Sequence, residues 1–329
     1  MSRGSGNVHQ VQQLAARVKE NINRVMVGKD REIDLLLTAL LASGHVLLED
    51  VPGTGKTMLA KSLAASLSLD FQRIQFTPDL LPSDLTGIHY YHQKDGEFYF
   101  RKGPLFTQIV LADEINRATP RTQSSLLECM EERQISIEGK TMELQKPFMV
   151  VATQNPVDNQ GTFPLPEAQM DRFMIRMNLG YPSREEGREI LLRTVGAVSP
   201  WAEALRPAAS AAEVLEAQRL CAGVSVHADL LDYMVALAEA SRSNPEVALG
   251  ISPRGTQAWM RASQAYAAMH GRSYVLPDDI KRLAVPACAH RIVLKRRHST
   301  EARPAEALVR ELLDAMPVPS EEGLGAEAR

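Results

Sequence analysis

Several absences narrow the class of this chain before any motif is read. It has three cysteines in 329 residues, Cys129, Cys221 and Cys288, far apart and without a CxxC pair. That excludes a disulfide framework and a cysteine-rich zinc site. The eight histidines show no HExxH or other paired ligand spacing, so a protein-bound zinc is not expected. Charge of one sign is also missing. There are 37 Lys+Arg against 40 Asp+Glu, a formal net charge of −3, which argues against a globally polybasic nucleic-acid or membrane-surface protein. Long apolar runs are lacking too. The strongest, Leu35 to Leu41, stops at Ala42-Ser43-Gly44-His45, short of the about 20 residues a spanning helix needs. Met1 to Gly6 lacks the apolar core of a signal peptide. The expectation is a cytoplasmic protein with no membrane insertion.

What is present is globular. Hydrophobic residues make up 44% of the chain, and its length suggests about two domains with a sizeable core. In the first half, short apolar strands alternate with helices. Gln10 to Ile22 and Asp30 to Leu41 carry helical stripes, and Thr57 to Leu67 reads as a third helix. Strands are expected at 45–49, 71–76, 108–112, 147–152 and 173–179, joined by βαβ crossovers. Two hairpins interrupt the rhythm, at about 88–102 around Asp95-Gly96 and at about 133–146 around Gly139. Beyond Tyr181-Pro182-Ser183 the chain turns Ala- and Leu-rich and helical, with no convincing strand. The division expected is an α/β domain over 1–182, a helical domain over 183–302, and a C-terminal helix with a mobile tail over 303–329.

The most informative stretch is Glu49-Asp50-Val51-Pro52-Gly53-Thr54-Gly55-Lys56-Thr57-Met58, between a strand and a helix. Such a turn aims successive backbone N–H groups at one spot, over the positive end of the helix dipole. Gly53 and Gly55 allow the tight turn, Lys56 is placed to reach β- and γ-phosphates, and the Thr57 hydroxyl to ligate Mg²⁺. The strict GxxxxGK[ST] pattern wants glycine at position 50, where this chain has Asp50. Asp tolerates turn geometry better than most residues, so the loop is expected to be strained there rather than abolished.

A second signal is Ile109-Val110-Leu111-Ala112-Asp113-Glu114. An apolar strand ending in two acids puts carboxylates at the carboxyl edge of a parallel sheet, where nucleotides bind. Alone, such a pair is most often a solvated loop; downstream of a phosphate loop, Asp113 is expected to hold the metal and Glu114 to take a proton from water. Adjacent strand residues point to opposite faces, which would separate the two roles. The next strand ends in Ala152-Thr153-Gln154-Asn155-Pro156. Asn155 there can hydrogen-bond a γ-phosphate or the attacking water, although unaided it would read as a turn cap.

With these residues in place, the chain resembles an AAA+ ATPase, and specifically the MoxR family. The matches run over Asp50–Thr57, Arg73–Gly87, Asp113–Ala118, Leu126–Glu128, Met130–Arg133, Ala152–Pro156, Gly161–Phe173 and Ser252-Pro253-Arg254. Asp50 in place of glycine is itself familiar in that family. The resemblance implies an α/β fold: an AAA+ P-loop parallel-sheet core with β-hairpin inserts, followed by an all-α lid. It implies ATP and Mg²⁺ as cofactors, with ATP between the α/β domain and the lid. Asn155 resembles sensor 1 and Arg254 the sensor 2 arginine. Arg172 resembles the finger that acts on a neighbour's ATP, with Arg117, Arg121 and Arg176 as nearby alternatives. Val27-Gly28 resembles the segment that packs on adenine. The hairpins resemble inserts that face a ring pore. The function implied is ATP hydrolysis in a ring, expected as a hexamer, that drives chaperone-like remodelling, assembly or metal-cofactor insertion. The partners implied are a von Willebrand A-domain protein and an unidentified protein client.

Two other classes stay open at this level. A DNA-dependent motor is one, since helicases share the hairpin-bearing clade; a nucleotide-gated scaffold with little hydrolysis is the other. Near-neutral charge weighs against the first, and the Asp113-Glu114 pair against the second. The one basic cluster, His290 to His298, has no interleaved aromatic residues and reads as a solvated helix end, so nucleic acid is not an expected partner. Met130, Met142, Met149, Met170 and Met174 read as core fillers.

Overall fold

The structure, a computed structural model, describes residues 3–155, 161–195, 205–295 and 304–319. Positions 296–298 of the basic cluster, Pro156, and the tail from 320 lie outside the described residues.

The chain opens with α1 (Arg3–Asn23) and α2 (Asp30–Leu41). The stripe Val11, Leu14, Ala15, Val18 and Ile22 is fully buried, as its 3–4 residue spacing requires of one helix face. Then come β1 (Val46–Glu49), α3 (Lys56–Ser66), β2 (Phe71–Gln75) and the short α4 (Pro82–Thr86). A hairpin, β3 (Gly87–His92) with β4 (Glu97–Lys102), precedes β5 (Ile109–Asp113) and α5 (Pro120–Glu132). A second hairpin, β6 (Gln134–Ile137) with β7 (Lys140–Glu143), precedes β8 (Met149–Gln154), α6 (Glu167–Met170) and β9 (Ile175–Met177).

Five of these strands form one parallel sheet in the order β2-β5-β8-β1-β9. Every residue of β5, and β8 as far as Thr153, is buried, as central strands of a parallel sheet covered on both faces must be. Two apolar clusters cover the faces. One joins α1, α2 and α3 to the helices that follow the sheet; the other packs α4, α5 and the hairpin bases. All five carboxyl ends open on one edge.

The sequence after β9 folds as α7 (Arg184–Thr194), α8 (Ala211–Ala222) and α9 (Ala228–Ser243), then β10 (Val247–Leu249), α10 (Pro253–Met269), α11 (Pro277–Cys288), β11 (Val293–Leu294) and α12 (Ala305–Ala315). The expectation of no strand here needs a correction. β10 and β11 form a small antiparallel ribbon, extended by the Lys295 N–H bond to Glu246 O at 2.8 Å. Strands of two or three residues carry no alternation for a sequence pattern to register. The architecture is otherwise an α/β core followed by a helical lid.

Helix starts follow side-chain chemistry. Ser183 and Glu186 form a reciprocal capping box at α7. Ser252 caps α10 by accepting the Gly255 N–H at 2.9 Å, with Pro253 in the first turn.

Candidate functional site

At the carboxyl edge of β1 the chain turns through Gly53 (φ 85°) and Gly55 (φ 97°) into α3. Only glycine occupies that backbone region readily, and a Cβ at Gly53 would meet nothing within 4 Å, so the turn lies open. No side chain caps α3, which leaves its first N–H groups aimed outward. Lys56 Nζ donates to the Asp50 and Val51 carbonyls at 2.9 and 3.3 Å. A cation held by neutral carbonyls over uncapped helix N–H groups is the chemistry of an anion cradle.

The strain expected at Asp50 is not found. Its φ is not positive, and its carboxylate has work of its own. Oδ1 accepts the Val51 N–H at 2.8 Å, and Oδ2 accepts those of Leu179 and Gly180, both at 2.8 Å. From the other side of that peptide, buried Lys29 donates to Leu179 O at 2.6 Å. Asp50 thus ties the phosphate loop to the segment leaving β9.

The acidic pair is separated by a backbone turn, not by strand alternation. β5 ends at Asp113, and Glu114 takes a left-handed conformation (φ 58°, ψ 49°), an uncommon choice for a residue with a Cβ. Buried Thr153 holds both. Its hydroxyl donates to Asp113 Oδ1 at 2.6 Å and accepts the Glu114 N–H at 2.9 Å. Arg73 bonds Asp113 Oδ2 at 2.6 and 3.1 Å. Gln75 donates to Glu114 Oε2 at 2.9 Å, and Arg117 pairs with the same oxygen at 3.1 Å.

These groups surround one cavity of about 430 Å³, lined by Pro52, Gly53, Gly55, Lys56, Thr57, Met58, Arg73, Gln75, Asp113, Glu114 and Asn155. That is within the size range of ordinary ligand pockets. A hydroxyl (Thr57) and a carboxylate (Asp113) among the lining residues are the hard oxygen donors that Mg²⁺ takes, so the residues fit both a polyphosphate and its cation. Arg73 and Gln75 are the lining residues given no site role from sequence; their signals were polarity on the outer strand β2 and their place at the start of the matched block Arg73–Gly87. Val27 and Gly28 do not line the cavity. Met26 beside them does approach the loop, its Cε lying 3.5 Å from an ideal Cβ at Gly55, while Gly28 packs against Glu186 of α7.

Arg254 and Arg172 are also absent from this cavity. Instead the fold brings them to each other. Arg172 Nε and Arg254 Nη2 meet opposite oxygens of Glu131, on the last turn of α5, at 3.1 and 3.0 Å. Arg254, which resembles the sensor 2 arginine, stands with the finger candidate. The neighbourhood is cationic. Burial lowers the pKa of Arg261, and the Arg254 charge adds to that; burial and Arg261 together do the same to Arg133. Of the alternatives, Arg117 pairs with Glu114, and Arg176 with Glu49 and Glu306. Arg176 lines a separate cavity of about 370 Å³ between α2, β9 and α12.

Comparisons with known proteins bear on the family and the fold. A model described as the ATPase family associated with various cellular activities (AAA) matches residues 45–175, and an AAA lid domain matches residues 239–312. The chain is 39% identical to Chaperone MoxR1 of Mycobacterium tuberculosis over 324 residues, covering 96% of this chain and 84% of the relative. It is 34% identical to Protein MoxR of Paracoccus denitrificans, covering 91% and 94%. It is 50% identical to the uncharacterized protein YeaC of Bacillus subtilis, covering 93% and 95%. A crystal structure of a candidate ATPase from Cytophaga hutchinsonii superposes with a TM-score of 0.88 at 36% identity, covering 96% of this chain and 98% of that one. The chain belongs to the MoxR family of AAA+ ATPases.

Proposed function

We propose that this protein hydrolyses ATP with Mg²⁺ at a site completed by an adjacent copy of itself, and that the turnover drives chaperone-like remodelling of a partner protein. The observation that carries the reading is the single cavity joining Lys56, Thr57, Asp113, Glu114 and Asn155, with Arg172 and Arg254 paired together outside it. Arginines needed at a phosphoryl group but absent from the chain's own cavity are supplied by a neighbour, which calls for a closed ring; a hexamer is the form the family resemblance suggests.

The α3 N–H groups and Lys56 bind the β- and γ-phosphates. Thr57 and Asp113 would hold Mg²⁺, which when bound neutralises charge on those phosphate oxygens. Asn155 orients the water or the γ-phosphate. Glu114 accepts the proton of the water attacking in line with the leaving oxygen. Arg172 and Arg254 of the next copy stabilise the charge developing on the transferred group. Val27-Gly28, through the Met26 contact, forms the approach to the base. The α/β unit spans 1–182, the lid 183–302, and the C-terminal helix with its tail 303–329. A von Willebrand A-domain protein and a protein client are the partners, and the cytoplasm is the compartment. Among the described residues no helix is long and apolar enough to cross a membrane.

Turnover and ATP binding measured on Glu114→Gln and Lys56→Ala test this. The first should lose at least about 100-fold in kcat with ATP affinity retained, as removal of a general base does. The second should lose binding. Normal turnover in Glu114→Gln would overturn the assignment.

A further inference from the structure

The arginine pair has its own supporting structure, and the group at its centre is Glu131. Two guanidiniums carry two positive charges and one carboxylate carries a single negative charge, so the trio keeps an excess of one beside Arg261 and Arg133. The elements that bring the three together are locked at each end. The last turn of α5 is fixed because buried His45 Nε2 donates to Met130 O at 2.9 Å while its Nδ1 accepts the Val150 N–H at 2.9 Å. Arg133, one residue past the helix, donates to Ser43 O. The Arg172 segment is fixed to the start of α10 through Asp171, which accepts the Ser252 hydroxyl at 3.0 and 3.1 Å and pairs with buried Arg291. Ser252 is itself the cap of the helix that carries Arg254.

Yet the trio that these buried contacts frame is open. The side chains of Glu131, Arg172 and Arg254 are 36%, 28% and 42% exposed. A rigid frame around an accessible, net-cationic cluster suits presentation to an outside anion. Each arginine meets a different oxygen of Glu131, so the carboxylate sets the spacing and tilt of both at once.

We propose that Glu131 is a positioning residue, which aims Arg172 and Arg254 together at the γ-phosphate held by the adjacent copy. It touches no substrate and acts only through the two arginines. The proposal rests on the shared-site reading above.

The test is a subunit-mixing assay with wild type, Glu131→Gln, Glu131→Asp and Lys56→Ala. Glu131→Gln keeps its own phosphate loop, so its affinity for a fluorescent ATP analogue should match wild type while kcat falls about 10- to 100-fold, the scale of a misplaced rather than missing catalytic group. Glu131→Asp should recover part of the loss. Lys56→Ala subunits bind no ATP but keep a correctly aimed pair. Adding them to Glu131→Gln should raise turnover per Glu131→Gln subunit several-fold. Wild-type kcat in Glu131→Gln, loss of its ATP affinity, or no rescue on mixing would each overturn the proposal. Wild type that turns ATP over equally well when dilute and dissociated would instead remove the shared-site reading, and this proposal with it.

Discussion

The carboxylate of Asp50 accepts the backbone N–H of Leu179 at 2.8 Å, with the N–H of Gly180 on the same oxygen. The residue that departs from the glycine of the phosphate-loop pattern is therefore a clamp between β1 and the chain leaving β9. Asp50→Gly, which restores the pattern, should weaken the protein. It leaves the N–H groups of Val51, Leu179 and Gly180 without their charged acceptor, at about 1–3 kcal/mol for a buried one, so a loss of about 2–4 kcal/mol is expected in urea unfolding, with weaker ATP binding. A variant as stable as wild type would show that the clamp is incidental.

Thr153 is fully buried, and its hydroxyl serves Asp113 and Glu114 at once. Thr153→Val keeps the shape and removes both bonds. Steady-state kinetics should show kcat lowered about tenfold with KM for ATP little changed, because the cradle is untouched while the acidic pair loses its alignment. An equal loss in binding would place Thr153 with the phosphate loop instead.

Arg73 occupies Asp113 Oδ2 at 2.6 Å, the same carboxylate that would hold Mg²⁺. Guanidinium and cation compete for that oxygen. In Arg73→Ala the Mg²⁺ concentration giving half-maximal turnover should fall a few-fold. A rise would mean that Arg73 assists at the phosphates.

His45 is fully buried, and burial, with Arg133 adding to it, lowers its pKa from 6.5 to about 3. The unfolded chain therefore takes up this proton near pH 6.5 and the folded chain does not. Stability is full above that pH and declines below it, by about 1.4 kcal/mol per pH unit for this side chain. His290, buried and lowered in the same direction, adds to the slope. Urea midpoints at pH 7.5 and 5.5 check this; equal values would contradict it.

The phosphate loop and acidic pair were legible because each is a local pattern: apolar strand, glycine turn, lysine, helix. The hairpins were legible through Asp95-Gly96 and Gly139 between extended arms. The β10–β11 ribbon was not, since its pairing joins residues about 45 apart with no local signature. Nor was the left-handed backbone at Glu114, which its contacts impose and its residue type does not suggest.

Sequence alone determined the chemistry available at the sheet edge, because a phosphate cradle is built from consecutive backbone groups and a short-range order of residues. Only the tertiary structure decided where Arg172 and Arg254 stand. The two arginines are separated by some 80 positions, and it is the ion pairs of Glu131 on α5 with both of them, together with the Asp171–Ser252 bond, that turn the pair away from their own cavity. Local spacing carries no information about contacts made across that distance; burial and charge pairing settle them.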